Sequence, residues 1–326
     1  MTDKIPLSTW PTPLEPVPRL AAALGLHEGD LWIKRDDLIG LGGGGNKVRK
    51  LEWTVGAALA AGADTLVTTG AAQSNHARLT AAAGARLGLD VVLVFPGTPD
   101  SAANGSGNLV LDSLFAARVH WAGDGDPSTL GVVAEDVCVQ LRRDGARPFL
   151  IPFGGSSPLG ARGYAECGDE LRTQLPDVEH VVVALGSGGT MAGLVGALGE
   201  QRVLGIHVGA VPEPAATVAG LAGALTHRTI DPGSLRVRTD QVGAGYGLLY
   251  EPVLEAMRTA ATTEGIVLDP VYTGRAMAGL VAAVREGDIR PGRRTVFLHT
   301  GGLPGLFGHA ETVRRSVSAL PSYKPA

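Results

Sequence analysis

Short runs of β-branched and apolar residues alternate with helix-length amphipathic stretches along nearly the whole chain. Residues 31–34, 65–69, 91–95, 118–121, 148–151, 181–185, 204–208 and 295–299 predict strands. Several of these runs are apolar throughout, the pattern of a strand covered on both faces of a parallel sheet. Residues 75–87, 131–143, 161–175, 190–198, 251–264 and 273–285 predict helices. Strand-helix-strand alternation predicts an α/β fold with right-handed crossovers. The first 30 residues carry Pro6, Pro11, Pro13, Pro16 and Pro18 and predict an extended arm wrapping the surface. No linker marks a domain boundary. The expected division puts residues 52–160 in a smaller lobe, with residues 1–51 and 161–326 forming the larger one.

Composition narrows the classes. At 326 residues the chain has room for two domains or one large α/β unit. Hydrophobic residues at 44% and charged residues at 18% describe a globular protein with a large core. The 28 basic and 32 acidic side chains leave a net charge of −4. That balance supplies no footprint for nucleic acid or an anionic membrane. Cys138 and Cys167 lie far apart, fit no metal or redox spacing, and read as buried thiols of a reducing compartment. The N-terminus has no apolar signal core and no apolar run reaches transmembrane length, so the expected location is the cytoplasm.

The candidate chemistry sits in glycine-rich segments, most of them directly after predicted strands, where open α/β sheets bind their ligands. Leu41-Gly42-Gly43-Gly44-Gly45-Asn46-Lys47 leads into a helical stretch over residues 48–53. The helix dipole and the neighbouring cations both disfavour protonated Lys47. A lysine with a lowered pKa is a nucleophile toward a carbonyl. Ser74, within Thr69-Gly70-Ala71-Ala72-Gln73-Ser74-Asn75-His76, makes with free N–H groups a corner for a carboxylate. Ordinary helix capping accounts for Ser74 equally well.

Gly186-Ser187-Gly188-Gly189-Thr190 offers consecutive N–H groups before a helix, a nest suited to phosphate. It lacks the Lys-Ser or Lys-Thr pair of a P-loop, and no acidic residue ends the next strand to meet a ribose. Thr300, in His299-Thr300-Gly301-Gly302, presents a neutral hydroxyl to a ligand ring. Tyr246 in a glycine loop and Tyr272 before a helix add phenols, although packed aromatics fit both positions too.

Together these groups suit pyridoxal 5′-phosphate, which needs a lysine for its aldehyde, a nest for its phosphate and a partner for its ring nitrogen. The eight histidines form no ligand pair at helical spacing and no Gly-x-Ser-x-Gly elbow is present. An amino-acid-binding protein without turnover and a nucleotide enzyme built on residues 186–190 are the competing classes.

Gly44-Gly45-Asn46-Lys47-Val48-Arg49-Lys50-Leu51-Glu52, Gln73-Ser74-Asn75-His76, Asp269-Pro270-Val271-Tyr272-Thr273-Gly274 and His299-Thr300-Gly301-Gly302 occur in one order. In these motifs the chain resembles the D-cysteine desulfhydrase and 1-aminocyclopropane-1-carboxylate deaminase family. The resemblance implies two open, twisted, mostly parallel sheets flanked by helices, fold type II of the pyridoxal-phosphate enzymes, as in the tryptophan-synthase β-subunit. A small amino-acid substrate and a homodimer are expected.

The resemblance places Lys47 as the Schiff-base anchor and the base at Cα. Ser74, Asn75 and His76 fall at the substrate, with Asn75 also at the cofactor. Gly186, Ser187, Gly188, Gly189 and Thr190 fall at the phosphate, and Thr300 at the ring nitrogen. Tyr246 or Tyr272 assists the leaving group. The deaminase pattern has Gln in place of His76 and Glu in place of Thr273. Its absence here favours α,β-elimination from D-cysteine, giving pyruvate, hydrogen sulfide and ammonia. L-cysteate sulfo-lyases share Gln-Ser-Asn-His, so loss of sulfite stands beside that reading, with the deaminase as a second alternative.

Overall fold

A computed structural model describes residues 4–102, 105–124 and 129–320. The chain opens with β1 (Leu14–Pro16), α1 (Pro18–Ala23), β2 (Leu31–Arg35) and α2 (Lys47–Ala60). There follow β3 (Thr65–Thr69), α3 (Asn75–Leu87), β4 (Asp90–Phe95), α4 (Asn108–Leu114), β5 (Arg118–Trp121), α5 (Leu130–Arg143) and β6 (Pro148–Ile151). Next come α6 (Pro158–Gln174), β7 (His180–Leu185), α7 (Gly189–Leu198), β8 (Val203–His207), α8 (Pro214–Thr226) and β9 (Arg236–Arg238). The chain closes with α9 (Glu251–Glu264), α10 (Thr273–Arg285), β10 (Thr295–His299), α11 (Leu303–Phe307) and α12 (Ala310–Ser318).

The strands form two sheets. One is six-stranded in the order β1-β2-β10-β7-β8-β9, parallel except for β1. The other is four-stranded and wholly parallel, in the order β5-β4-β3-β6. Their apolar runs are covered on both faces. In β7, Val181, Val183 and Leu185 pack with α6, α7 and α8, while Val182 and Ala184 turn to α9 and α10. In β4, Val91, Leu93 and Phe95 face α2 and α3, while Val92 and Val94 face α5. The central strands thus read as continuous hydrophobic runs because they have no solvent face, whereas edge strand β5 exposes Arg118 and His120.

Strand order fixes where ligands can bind. In the small sheet the chain builds outward from β3 to β5, then returns to place β6 on the other side of β3. In the large sheet β8 and β9 build outward from β7, and β10 returns to its other side. Each reversal opens a crevice at the carboxyl ends of its two central strands. The loops after β3, β6, β7 and β10 therefore converge.

The N-terminal segment departs from the expected extended arm. Leu14–Pro16 adds a strand to the large sheet, and Pro18 sits in the first turn of α1. Leu7 is buried, and Glu52 on α2 accepts from the Leu7 N–H at 2.8 Å and from Trp10 Nε1 at 2.9 Å. Leu20 and Val17 enter the core. Prolines suit a first helical turn and an edge strand as well as they suit an irregular arm. Among the described residues no helix is long and apolar enough to cross a membrane.

Candidate active site

Lys47, Ser74, Asn75, His76, Gly186, Ser187, Gly188, Thr190, Tyr272 and Thr300 all line one cavity. Its space is about 640 Å³ including the open mouth. Gly189 and Tyr246 stand one layer behind the wall. No acidic side chain is among the described residues that line it.

Lys47 is the first residue of α2, half-buried in the wall. Burial lowers its ammonium to about pKa 8, and a hydrogen bond with Lys50 opposes the shift. The dominant cause is therefore desolvation, not the dipole and like charge expected from the sequence. Arg49 does not contribute, because it turns away to Asp36, with Nε 2.9 Å from Oδ2, and to Glu170. Like charge acts instead on Lys50, fully buried one turn along; burial and then Lys47 hold it well below the lysine range.

Lys47 is therefore protonated below about pH 8 and neutral above it. In cofactor-free protein, stopped-flow capture of added pyridoxal 5′-phosphate should fall about tenfold per pH unit well below that value. A rate that stays flat down to neutral pH would mean the Lys47 amine is not the reacting group.

Lys50 Nζ donates to Gly154 O at 3.2 Å and to Ser156 Oγ at 3.1 Å. The Gly189 N–H also donates to Ser156 Oγ, at 3.1 Å. With two donors on that oxygen, the Ser156 proton goes to Ser187 Oγ, 2.8 Å away. Ser187 keeps its own proton free to donate into the cavity. Thr190 is in the same position, since its Oγ1 accepts from Asn46 Nδ2 at 3.0 Å. The glycines are needed for room. A Cβ at Gly154, where φ is +63°, would collide with Ser187, and one at Gly189 would lie 2.7 Å from Ser156 Oγ and 3.0 Å from Lys50 Nζ.

On the opposite wall Ser74 caps α3, its Oγ accepting from the Ala77 N–H at 3.2 Å. His76 follows, buried, with Nε2 3.0 Å from Thr68 Oγ1. Thr68 gives its single proton to Ile151 O at 2.9 Å. Nε2 must therefore carry the imidazole proton, which leaves Nδ1 as a lone-pair acceptor, and Nδ1 has no partner. Burial, followed by the charges of Lys47 and Lys50, keeps the ring neutral.

Thr300 directly follows β10 and lines the cavity; its carbonyl accepts the Asn46 N–H at 3.0 Å. Thr273 does not reach the cavity. Its hydroxyl donates to Asp269 Oδ1 at 2.7 Å and accepts the Asp269 N–H at 2.8 Å. Tyr272 does line the wall, resting against Gly186, and its hydroxyl meets that of Tyr246 at 2.6 Å. Burial raises the Tyr272 phenol well above the tyrosine range, and loss of hydration raises that of Tyr246 as well, although part of its ring faces solvent.

A buried and a half-buried ammonium with no carboxylate nearby, a nest of N–H groups and two free hydroxyl donors call for a bound phosphate, beside an amine able to meet an aldehyde. The residues present fit pyridoxal 5′-phosphate. Asn46, Lys50 and Ser156 were missed by the motif reading. Lys50 falls on the same helix face as Lys47, three residues on, and Gly154-Gly155-Ser156 is another small-residue loop after a strand.

Comparison with known proteins agrees. The sequence pattern of the family described as pyridoxal-phosphate dependent enzyme matches residues 5–301. A Pyrococcus abyssi protein named "Putative 1-aminocyclopropane-1-carboxylate deaminase" is 40% identical over 324 residues, 94% of each chain. The D-cysteine desulfhydrase of Salmonella schwarzengrund is 39% identical over 313 residues, 92% of this chain and 94% of that one. A crystal structure of an ACC deaminase homologue superposes with a TM-score of 0.86 at 37% identity, covering 96% of both chains. The chain belongs to the pyridoxal-phosphate-dependent enzymes, in the group that holds the D-cysteine desulfhydrases and 1-aminocyclopropane-1-carboxylate deaminases.

Proposed function

We propose that this enzyme catalyses α,β-elimination from a β-substituted amino acid, with D-cysteine as substrate and pyruvate, hydrogen sulfide and ammonia as products after uptake of water. The observation that carries this reading is the commitment of Thr273 to Asp269 while Thr300 faces the cavity. A neutral hydroxyl is then the partner at hand for a ring nitrogen, and a weaker electron sink suits loss of a good β-leaving group better than opening of a carbon ring. Bound pyridoxal 5′-phosphate supplies that sink.

The chain's own groups do the rest. Lys47 anchors the cofactor, and its amine, once free, takes the proton from Cα. Ser187, Thr190 and the N–H groups of Gly186, Ser187, Gly188 and Thr190 hold the phosphate, with Lys50 behind them, while the Gly189 N–H expected in this set is taken by Ser156 Oγ. Ser74, Asn75 and the N-terminus of α3 bind the substrate carboxylate, and His76 Nδ1 offers one neutral acceptor beside them. The Tyr246–Tyr272 pair hands a proton to the departing sulfur. Residues 52–160, which carry the four-stranded sheet, form the smaller of two lobes closing on this site.

A panel of D- and L-cysteine, L-cysteate, β-chloroalanine and 1-aminocyclopropane-1-carboxylate, read out as 2-oxo acid, tests the assignment. D-cysteine should give the highest kcat/KM. Faster sulfite release from L-cysteate would move the enzyme to the sulfo-lyases. Efficient 2-oxobutyrate formation from 1-aminocyclopropane-1-carboxylate would show that the Thr273 argument fails. Binding without any 2-oxo acid would leave a non-catalytic amino-acid-binding protein.

A further inference from the structure

The loop that carries Tyr246 has little structure of its own. Gly243, Gly245 and Gly247 adopt φ of +64°, +153° and +74°, conformations that glycine tolerates, and His309 Nε2 lies 2.7 Å from Gly247 O as one tie on the segment. Arg275 lies fully buried against it. Nη1 donates to Val208 O and Val242 O, both at 2.9 Å. Nη2 donates to Gly245 O at 2.8 Å and to Leu248 O at 2.7 Å. One guanidinium thus ties the start, middle and end of residues 242–248 to the chain leaving β8.

Among the described residues no carboxylate forms an ion pair with Arg275, and its Nε has no partner. A buried cation without a counter-ion is costly, and an apolar side chain there would avoid the cost. Its presence points to a task that needs several donors in one rigid plane, which only a guanidinium provides. Tyr272 is the N-cap residue just before the same helix, three residues ahead of Arg275. The start of α10 therefore carries one phenol and the clamp that delivers the other.

We propose that Arg275 is a positioning residue of the elimination, holding the loop of residues 242–248 so that the Tyr246 hydroxyl meets Tyr272 at the cavity wall. This rests on the proposed elimination, in which the phenol pair protonates the leaving group. The groups facing Arg275 are Tyr246, Tyr272 and Asp269, with His207 at the end of β8. Asp269 is already committed to the N–H groups of Val271, Tyr272 and Thr273, so the phenols are the groups the clamp can organise.

The test is a double-mutant cycle on the holoenzyme with Arg275→Met and Tyr246→Phe, joined by Arg275→Lys. Arg275→Met should keep the visible absorbance of bound cofactor and the KM for D-cysteine. Its kcat should fall by about 10²-fold, the low end of one acid-base contribution. In the Tyr246→Phe background it should cost nothing further, whereas a purely structural role would give additive losses. Arg275→Lys, with three donors on one nitrogen, should recover part of kcat and carries the test if the methionine variant does not fold.

Fluorotyrosine NMR gives a readout that needs no turnover. The Tyr272 resonance should respond to Tyr246→Phe in the native protein and not in Arg275→Met. Native kcat in Arg275→Met, additive losses, or an intact Tyr272 response would overturn the proposal. If no substrate yields a 2-oxo acid but the NMR coupling is lost in Arg275→Met, the clamp stands and the elimination reading is what fails.

Discussion

Lys47→Ala should leave a folded protein with no visible cofactor absorbance and a kcat lowered by at least about 10⁴-fold, the upper end of what a single acid-base group supplies. Two losses combine, because the same amine is proposed to anchor the cofactor and to take the Cα proton. The fold should survive. Lys47 is only half-buried, and its side chain sits beside Gly154 with no carboxylate partner. Removing an ammonium that burial has pushed down to about pKa 8 also relieves the like charge on Lys50, so the cofactor-free variant should melt no lower than native protein. The phosphate site is left intact, and the variant should still bind pyridoxal 5′-phosphate reversibly, measurable by dialysis. Retention of visible absorbance together with full turnover would remove Lys47 from both roles.

The parts of this design visible in the sequence are those that depend on local pattern. The apolar run of β7 and the exact-length helices α3, α9 and α10 follow from periodicity, because each buries one face in the core. Helix α8 escaped because Ala215, Ala216, Ala219, Gly220, Ala222 and Gly223 give it no contrast between faces. Strand β9 is three residues, Arg-Val-Arg, at a sheet edge, where burial imposes no hydrophobic run.

The site shows the same division. Glycine loops after strands were legible, and the cavity gathers Ser74, Gly186 and Thr300 from them. What a sequence cannot show is where a long side chain ends. Arg49 and Lys50 are adjacent and equally cationic, yet one enters the buried pair with Asp36 and the other stands behind the phosphate nest. Thr273 and Thr300 likewise look alike in sequence, and only the bond to Asp269 separates them.

Gly189→Asp should weaken binding of pyridoxal 5′-phosphate by about 10²-fold, equivalent to roughly 3 kcal/mol. Gly188 looks like the natural place for such a test, since its φ of +88° already demands glycine, but a Cβ there would point at Thr217 and Leu221 on α8, away from the cavity. At Gly189 a Cβ points directly at Ser156 Oγ and Lys50 Nζ. An aspartate would place its carboxylate on the Lys50 ammonium behind the nest, cancelling that charge toward the phosphate and adding repulsion between two anions. Gly189→Ala separates the contributions, because it brings the steric contact without the charge and favours the first turn of α7 by up to about 1 kcal/mol. The alanine variant should therefore lose less affinity than the aspartate variant while melting at or above the native temperature without cofactor. Absorbance titration of the cofactor-free proteins reads both. Equal affinities for alanine and aspartate variants would show that the anion at this site is held by the N–H nest alone and that Lys50 takes no part.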